Sequence, residues 1–138
     1  MELNLFENNS ENSLVEIIGN KIVVSSRQVA EKFEKNHFDV LRTLTAKLQS
    51  VNGNRLAQHF FKTAYKDDSG KSNLMYLMDR DGFSFLAMGF TGEKADTWKL
   101  DFIDAFNAME NKLKLIEQQE IGRIIERMKG EEIRKTLT

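Results

Sequence analysis

Residues 25–49 read SSRQVAEKFEKNHFDVLRTLTAKLQ, and the fold turns on them. Ser25 and Ser26 are candidate N-caps, and Gln28 follows Ser25 at capping-box spacing, so a helix carrying Val29, Ala30 and Phe33 begins here. Lys35-Asn36 interrupts that pattern. Asn36, with Asp39 three residues on, repeats the cap signature and opens a second helix to about Gln49, with Val40, Leu41, Leu44 and Leu48 as its apolar stripe. Two short helices across a tight connection, the second bearing polar side chains near its start, have the sequence form of a helix-turn-helix.

On the N-terminal side, the β-branched runs Leu14 to Ile18 and Lys21 to Val24 are joined by Gly19-Asn20, a two-residue signal for a tight hairpin. After the polar break Val51 to Asn54, the stretches Phe60 to Tyr65 and Asn73 to Met78 flank the turn cluster Lys66 to Lys71, which reads as a second hairpin. Its position directly after the helix pair makes it a candidate wing. Asp79 caps a short helix through Phe83, Leu86 and Met88 that ends near Gly89, and Thr91-Gly92 opens a long one. Ala95, Trp98, Phe102, Phe106, Met109, Leu113 and Ile116 recur at three- and four-residue steps, a stripe that stops at Glu120. Ile121, Ile124, Ile125 and Met128 resume out of phase, and Gly122 weakens the helix, so residues 117–138 are expected as a separate or frayed segment.

The whole chain, 138 residues with a net charge of −1, is one domain in size. It has no cysteine, hence no disulfide framework or thiolate zinc site, and no proline, which favours long helices. Its start, Met1 to Ser10, holds Glu2 and Glu7 and no base, unlike a secretory signal. The most apolar window, Phe83 to Phe90, is far shorter than the roughly 20 residues that cross a bilayer. A cytoplasmic protein away from membranes is expected.

The charge is unevenly distributed. Residues 1–20 carry −4, residues 21–66 carry +6, residues 67–110 carry −5 and residues 111–138 carry +2. The basic segment holds Lys21, Arg27, Lys32, Lys35, Arg42, Lys47, Arg55, Lys62 and Lys66 and coincides with the helix pair, which points to phosphate neutralisation on double-stranded DNA. The candidate DNA-contacting set is Ser25, Ser26, Arg27, Lys35, Asn36, His37, Arg42, Thr43, Lys47, Lys66 and Lys71. Arg42 has the geometry for a bidentate bond to guanine, and Asn36 for adenine or a cap. The two serines serve either as caps or as partners of a phosphate at the first helix's amides. Asp39, by contrast, sets a carboxylate against phosphate. Phe106, Met109, Leu113 and Ile116 are the candidate oligomerisation residues of a homodimer, which would suit a two-fold DNA reader.

Catalytic patterns are absent from the sequence. There is no nucleophile elbow; Gly89-Phe90-Thr91-Gly92 lacks the phosphate-binding loop's lysine and spacing, and Asp67-Asp68-Ser69-Gly70 is too short for a calcium loop. Asp79 and Asp81 are explained by a helix start. The expectation is no enzyme, no cofactor and no metal.

Several stretches together resemble the Rha family of phage regulatory proteins over about Val24 to Leu113. They are Val24-Ser25-Ser26-Arg27-Gln28-Val29-Ala30, His37-Phe38-Asp39-Val40-Leu41-Arg42, Tyr76 to Phe83, Met88 to Gly92, Trp98-Lys99-Leu100 and Ala105 to Glu110. The resemblance implies a phage-encoded regulator acting in a bacterial host, by DNA binding or as an antirepressor. Many relatives continue into a further C-terminal domain, where this chain has a short segment after Leu113. The expected architecture is α+β: a winged helix-turn-helix-like domain over residues 14–113 with two β-hairpins and a long C-terminal helix, then a helical tail over 114–138. The alternative to DNA as partner is another phage or host regulator protein, bound through the acidic and apolar C-terminal half.

Overall fold

The computed structural model describes residues 13–137, with side chains through residue 132. The acidic opening, Met1 to Ser10, therefore lies outside the described residues. The chain is α+β, with a four-stranded antiparallel sheet and a long C-terminal helix.

Strands β1 (Glu16–Ile18) and β2 (Lys21–Ser25) form the first expected hairpin, with Ile18 opposite Lys21 across Gly19-Asn20. Gly19 takes a φ of 64°, a value that costs a residue without Cβ little. Strands β3 (Phe60–Lys66) and β4 (Ser72–Met78) form the second, and β4 also pairs with β2, so the order is β1-β2-β4-β3. On the second hairpin Phe60, Tyr76 and Met78 share one buried face, whereas Phe61, Tyr65, Met75 and Leu77 alternate onto a half-exposed one.

Between the hairpins lie α1 (Ser26–Lys32) and α2 (His37–Leu48), each starting where its cap was read. The Ser25 hydroxyl accepts from the Gln28 N–H at 3.1 Å, and Asn36 Oδ1 accepts from the Phe38 N–H at 2.8 Å. The connection is short because α1 ends in a Schellman motif: the Lys35 N–H reaches the Ala30 carbonyl at 2.8 Å and the Glu34 N–H the Glu31 carbonyl at 3.2 Å. That places Glu34, a residue with a Cβ, at a φ of 56°. The one-turn helix α3 (Gly53–Leu56) and a 3₁₀ turn (Ala57–His59) occupy what reads in sequence as a plain polar break; neither has a side-chain cap to announce it.

Helix α4 (Arg80–Ala87) starts at Asp79, whose Oδ1 accepts from the Gly82 N–H at 2.8 Å while Oδ2 meets His59 Nδ1 at 2.9 Å. Gly82 is required here, since a Cβ would stand 2.5 Å from the His59 carbonyl oxygen. Arg80 ties this start to the last helix, with Nε donating to Glu110 at 2.8 Å and a terminal nitrogen donating to Asn107 at 2.7 Å.

The last helix, α5 (Glu93–Leu137), runs 45 residues, roughly 67 Å, without a break. The separate segment expected after residue 117 is thus continuous helix. Gly122 costs about 1 kcal/mol relative to alanine, and no proline follows to stop the hydrogen-bond ladder. The core is aromatic where the helices meet: Phe33 of the α1 end, Phe83 of α4, Phe90, and Phe102 and Phe106 of α5 stack at 4.6–6.1 Å between ring centroids. No helix among the described residues is long and apolar enough to cross a membrane.

Candidate nucleic-acid interface

The residues expected to contact DNA divide into three groups around α2. Helical geometry of about 100° per residue explains the division. Val40 and Leu44 define the buried side, which leaves Phe38, Arg42 and Ala46 pointing outward, Thr43 and Lys47 on the flank facing α4, and His37 on the flank facing the second hairpin.

On the hairpin flank, the Arg27 guanidinium lies 3.8 Å from the Tyr65 ring centroid, and the His37 ring is 6.1 Å from the same tyrosine. Burial, and next the positive charge of Arg27, lower the His37 pKa below its ordinary 6.5, so the ring is neutral at pH 7. Its Nε2 is 2.8 Å from the Ser26 hydroxyl. The same hydroxyl oxygen accepts the Tyr76 backbone N–H at 3.0 Å, extending the β2–β4 pairing one step past Ser25 opposite Leu77.

Ser26 is therefore fully buried and engaged, which corrects the phosphate contact expected of it. Its role is to lock α1 to β4 and to the start of α2. Ser26→Ala is expected to lose about 1–3 kcal/mol, the cost of leaving a buried N–H without an acceptor. A urea melt checks this, and a shift no larger than that of an exposed serine-to-alanine change such as Ser50→Ala would refute it. Ser25 and Asn36 act as the caps already described.

At the hairpin tip, Lys66 and Lys71 are exposed and frame a rigid turn. Asp67 organises it. Its carboxylate accepts from the Ser69 hydroxyl and N–H, from the Asn73 amide and from the Lys71 N–H, and these bonds, that of the Ser69 hydroxyl foremost, hold its pKa down to about 2. The ionised Asp67 and its neighbour Asp68 offset part of the lysine charge.

On the outward face Arg42 is exposed but not free: a terminal nitrogen donates to Asp39 at 3.0 Å, and its guanidinium sits 5.1 Å from the Phe38 ring centroid. The carboxylate that opposes phosphate is thus held against a cation of the same helix. On the α4 flank, Lys35, Thr43 and Lys47 line an open groove with Phe85, Met88 and Phe90. Among the described residues, Arg27, Lys35, Lys47, Lys66 and Lys71 form no ion pair with a carboxylate.

Of the expected oligomerisation residues, Phe106 and Met109 are buried in the chain's own core at 1% and 8% exposure, which corrects that expectation; the Phe106 ring lies 5.9 Å from Phe83 of α4. Leu113 and Ile116 are half-buried. Residues not singled out by sequence reasoning carry much of the site: Tyr65, Phe38 at 67% exposure, Phe85 and Met88. Phe38 was accessible to that reasoning, because the Val40 and Leu44 stripe turns it to solvent; Tyr65 was not, since its partner Arg27 is remote in sequence. Among the described residues no group of three or more His, Cys, Asp or Glu side chains is placed to hold a metal ion.

A helix pair locked to an antiparallel sheet, with an aromatic-lined basic edge and a long C-terminal helix, defines a small α+β module. The chain belongs to the phage regulatory protein Rha family, whose profile matches residues 24–111. It is 36% identical over 94 residues to an uncharacterized protein of Haemophilus influenzae, covering 67% of this chain and 54% of that protein. It is 39% identical over 95 residues to an uncharacterized 22.8 kDa protein of Salmonella phage P22, covering 67% and 46%. A third relative, an SPbeta prophage-derived protein of Bacillus subtilis described provisionally as an antirepressor, is 33% identical over 102 residues, covering 68% and 38%. The matched region thus spans about half or less of each relative's length. No solved structure gives a significant match.

Proposed function

We propose that the chain acts in the bacterial cytoplasm as a phage regulator that binds double-stranded DNA through a winged helix-turn-helix-like surface. In this reading α1 and α2 are the helix pair and β3–β4 the wing. The observation that carries it is the set of exposed cations without carboxylate partners that surrounds α2 and the hairpin tip, with Arg27 braced on Tyr65 between them. Family membership and phage and prophage relatives support a regulatory role. Two copies pairing through α5 beyond Glu110 belong to the same reading, since Leu115, Ile121, Ile124, Ile125 and Met128 are 44–59% exposed there.

Fluorescence anisotropy on phage genomic duplexes tests it. With about four phosphate contacts, the log–log slope of affinity against salt is near −3.6, so a fourfold rise in salt weakens binding roughly 100-fold. A flat salt series removes the DNA reading, and a monomer at all concentrations in sedimentation velocity removes the paired one.

A second reading is a protein-binding, antirepressor-like role. It is favoured by the description of the Bacillus relative and by the exposed Phe85 and Met88 beside α2. The acidic stretch 67–110 supports it less, because Asp96 and Glu110 are paired with cations of the chain itself and Asp79 is held by the Gly82 N–H and the His59 ring.

A further inference from the structure

The open groove between α2 and α4 has a volume of about 460 Å³ and is lined by Val40, Phe85, Leu86, Met88 and Phe90 together with Lys35 and Lys47. Met88 is 77% exposed and Phe85 37%, and the largely buried Phe90 also lines it. Two lysines stand at its margins, with Lys47 Nζ 5.3 Å from the Phe85 ring centroid and Lys35 Nζ 5.6 Å from that of Phe90. The one carboxylate in the lining, Asp39, is already held by Arg42 at 3.0 Å. The groove is thus apolar along its floor and net positive at its margins.

We infer that this groove docks an acidic amphipathic helical segment of another protein, its apolar side on Phe85 and Met88 and its carboxylates at Lys35 and Lys47. A helix laid in a groove is a recurrent way to meet this chemistry, because one element supplies apolar anchors and flanking charge at fixed spacing. Nucleic acid fits less well, since a phosphate backbone offers nothing apolar to cover Met88. The exposed tail of a second copy also fits less well: residues 111–138 carry +2 and would be repelled by the lysines. The inference rests on the protein-binding reading; Lys35 and Lys47 are shared with the DNA-binding one, so peptide and duplex compete for them.

Fluorescence polarisation with two synthetic peptides of about 16 residues, or four helical turns, tests it. Both carry Leu and Phe on one face; one carries Glu on the other face and the second carries Lys. The acidic peptide is expected to bind about tenfold or more tightly than the basic one, and Met88→Asp to weaken it about tenfold, the scale of one lost apolar anchor. Lys47→Glu is expected to weaken it similarly. Met88 is exposed, so its variant folds, which circular dichroism verifies. Equal binding of the two peptides, or no binding of either, overturns the inference while leaving the DNA reading intact. Tight acidic-peptide binding that ignores Met88→Asp overturns the groove and leaves protein binding elsewhere on the chain.

Discussion

Phe102→Ala is expected to remove about 3–5 kcal/mol of stability, a large share of the roughly 5–15 kcal/mol that a domain possesses. The side chain is fully buried, and its ring lies 5.9 Å from Phe33, 4.6 Å from Phe83 and 6.5 Å from Trp98, so it touches the end of α1, the body of α4 and its own helix at once. Truncation leaves a cavity that three separately anchored elements cannot close together. Two of those anchors are explicit: Asp79 holds α4 to the 3₁₀ turn, and Arg80 holds it to Glu110 and Asn107. In urea denaturation the midpoint should fall sharply, and much of the variant is expected to be unfolded at physiological temperature. Leu115→Ala, on the same helix at 59% exposure, should stay within about 0.5 kcal/mol of the parent. A Phe102→Ala loss under 1 kcal/mol would mean that α5 is not the pillar of the core.

The second large effect concerns DNA. Replacing Arg27, Lys66 and Lys71 together by alanine is expected to make the salt slope shallower by about 2.7, and to cost roughly 100-fold in affinity at low salt. The three side chains come from α1 and from both sides of the hairpin tip, and none is part of the buried core. Arg27 carries more than its charge, because its guanidinium is held face-on by Tyr65 and is already ordered before a phosphate arrives. The comparison is Lys114→Ala on the exposed part of α5, which should leave slope and affinity as they are. An unchanged slope in the triple variant would show that DNA, if bound, is not bound at this edge.

Much of the architecture was legible because its signals are local. The serine and asparagine caps, the Gly19-Asn20 turn, the Asp79 start and the three- and four-residue apolar steps of α5 each act within about one turn of the residues they order. The same locality explains why Gly122 reads as a break: its low propensity is visible in the sequence, while the uninterrupted ladder on either side is a property of the helix as a whole.

The site was legible as a composition and not as an arrangement. A basic run from Lys21 to Lys66 is plain, yet it is spread over strands and helices that point its side chains apart, and on α2 itself a turn of about 100° per residue separates Arg42 from Lys47. Ser26 reads as an exposed cap until β4 returns to place the Tyr76 N–H upon it. Phe106 and Met109 read as seam candidates until the chain closes on its core and buries both.

By itself, then, the sequence determined the helix pair, the two hairpins, the long helix, the absence of any cysteine-based site and the family. Tertiary structure alone decided the strand order β1-β2-β4-β3, the burial of Ser26, the bracing of Arg27 by Tyr65, the pairing of Arg80 with Glu110, and the groove between α2 and α4. The physical reason is range: caps, turns and periodicity are settled between neighbours, whereas these contacts join residues some 30 to 50 positions apart and exist only once the chain has closed on a shared core.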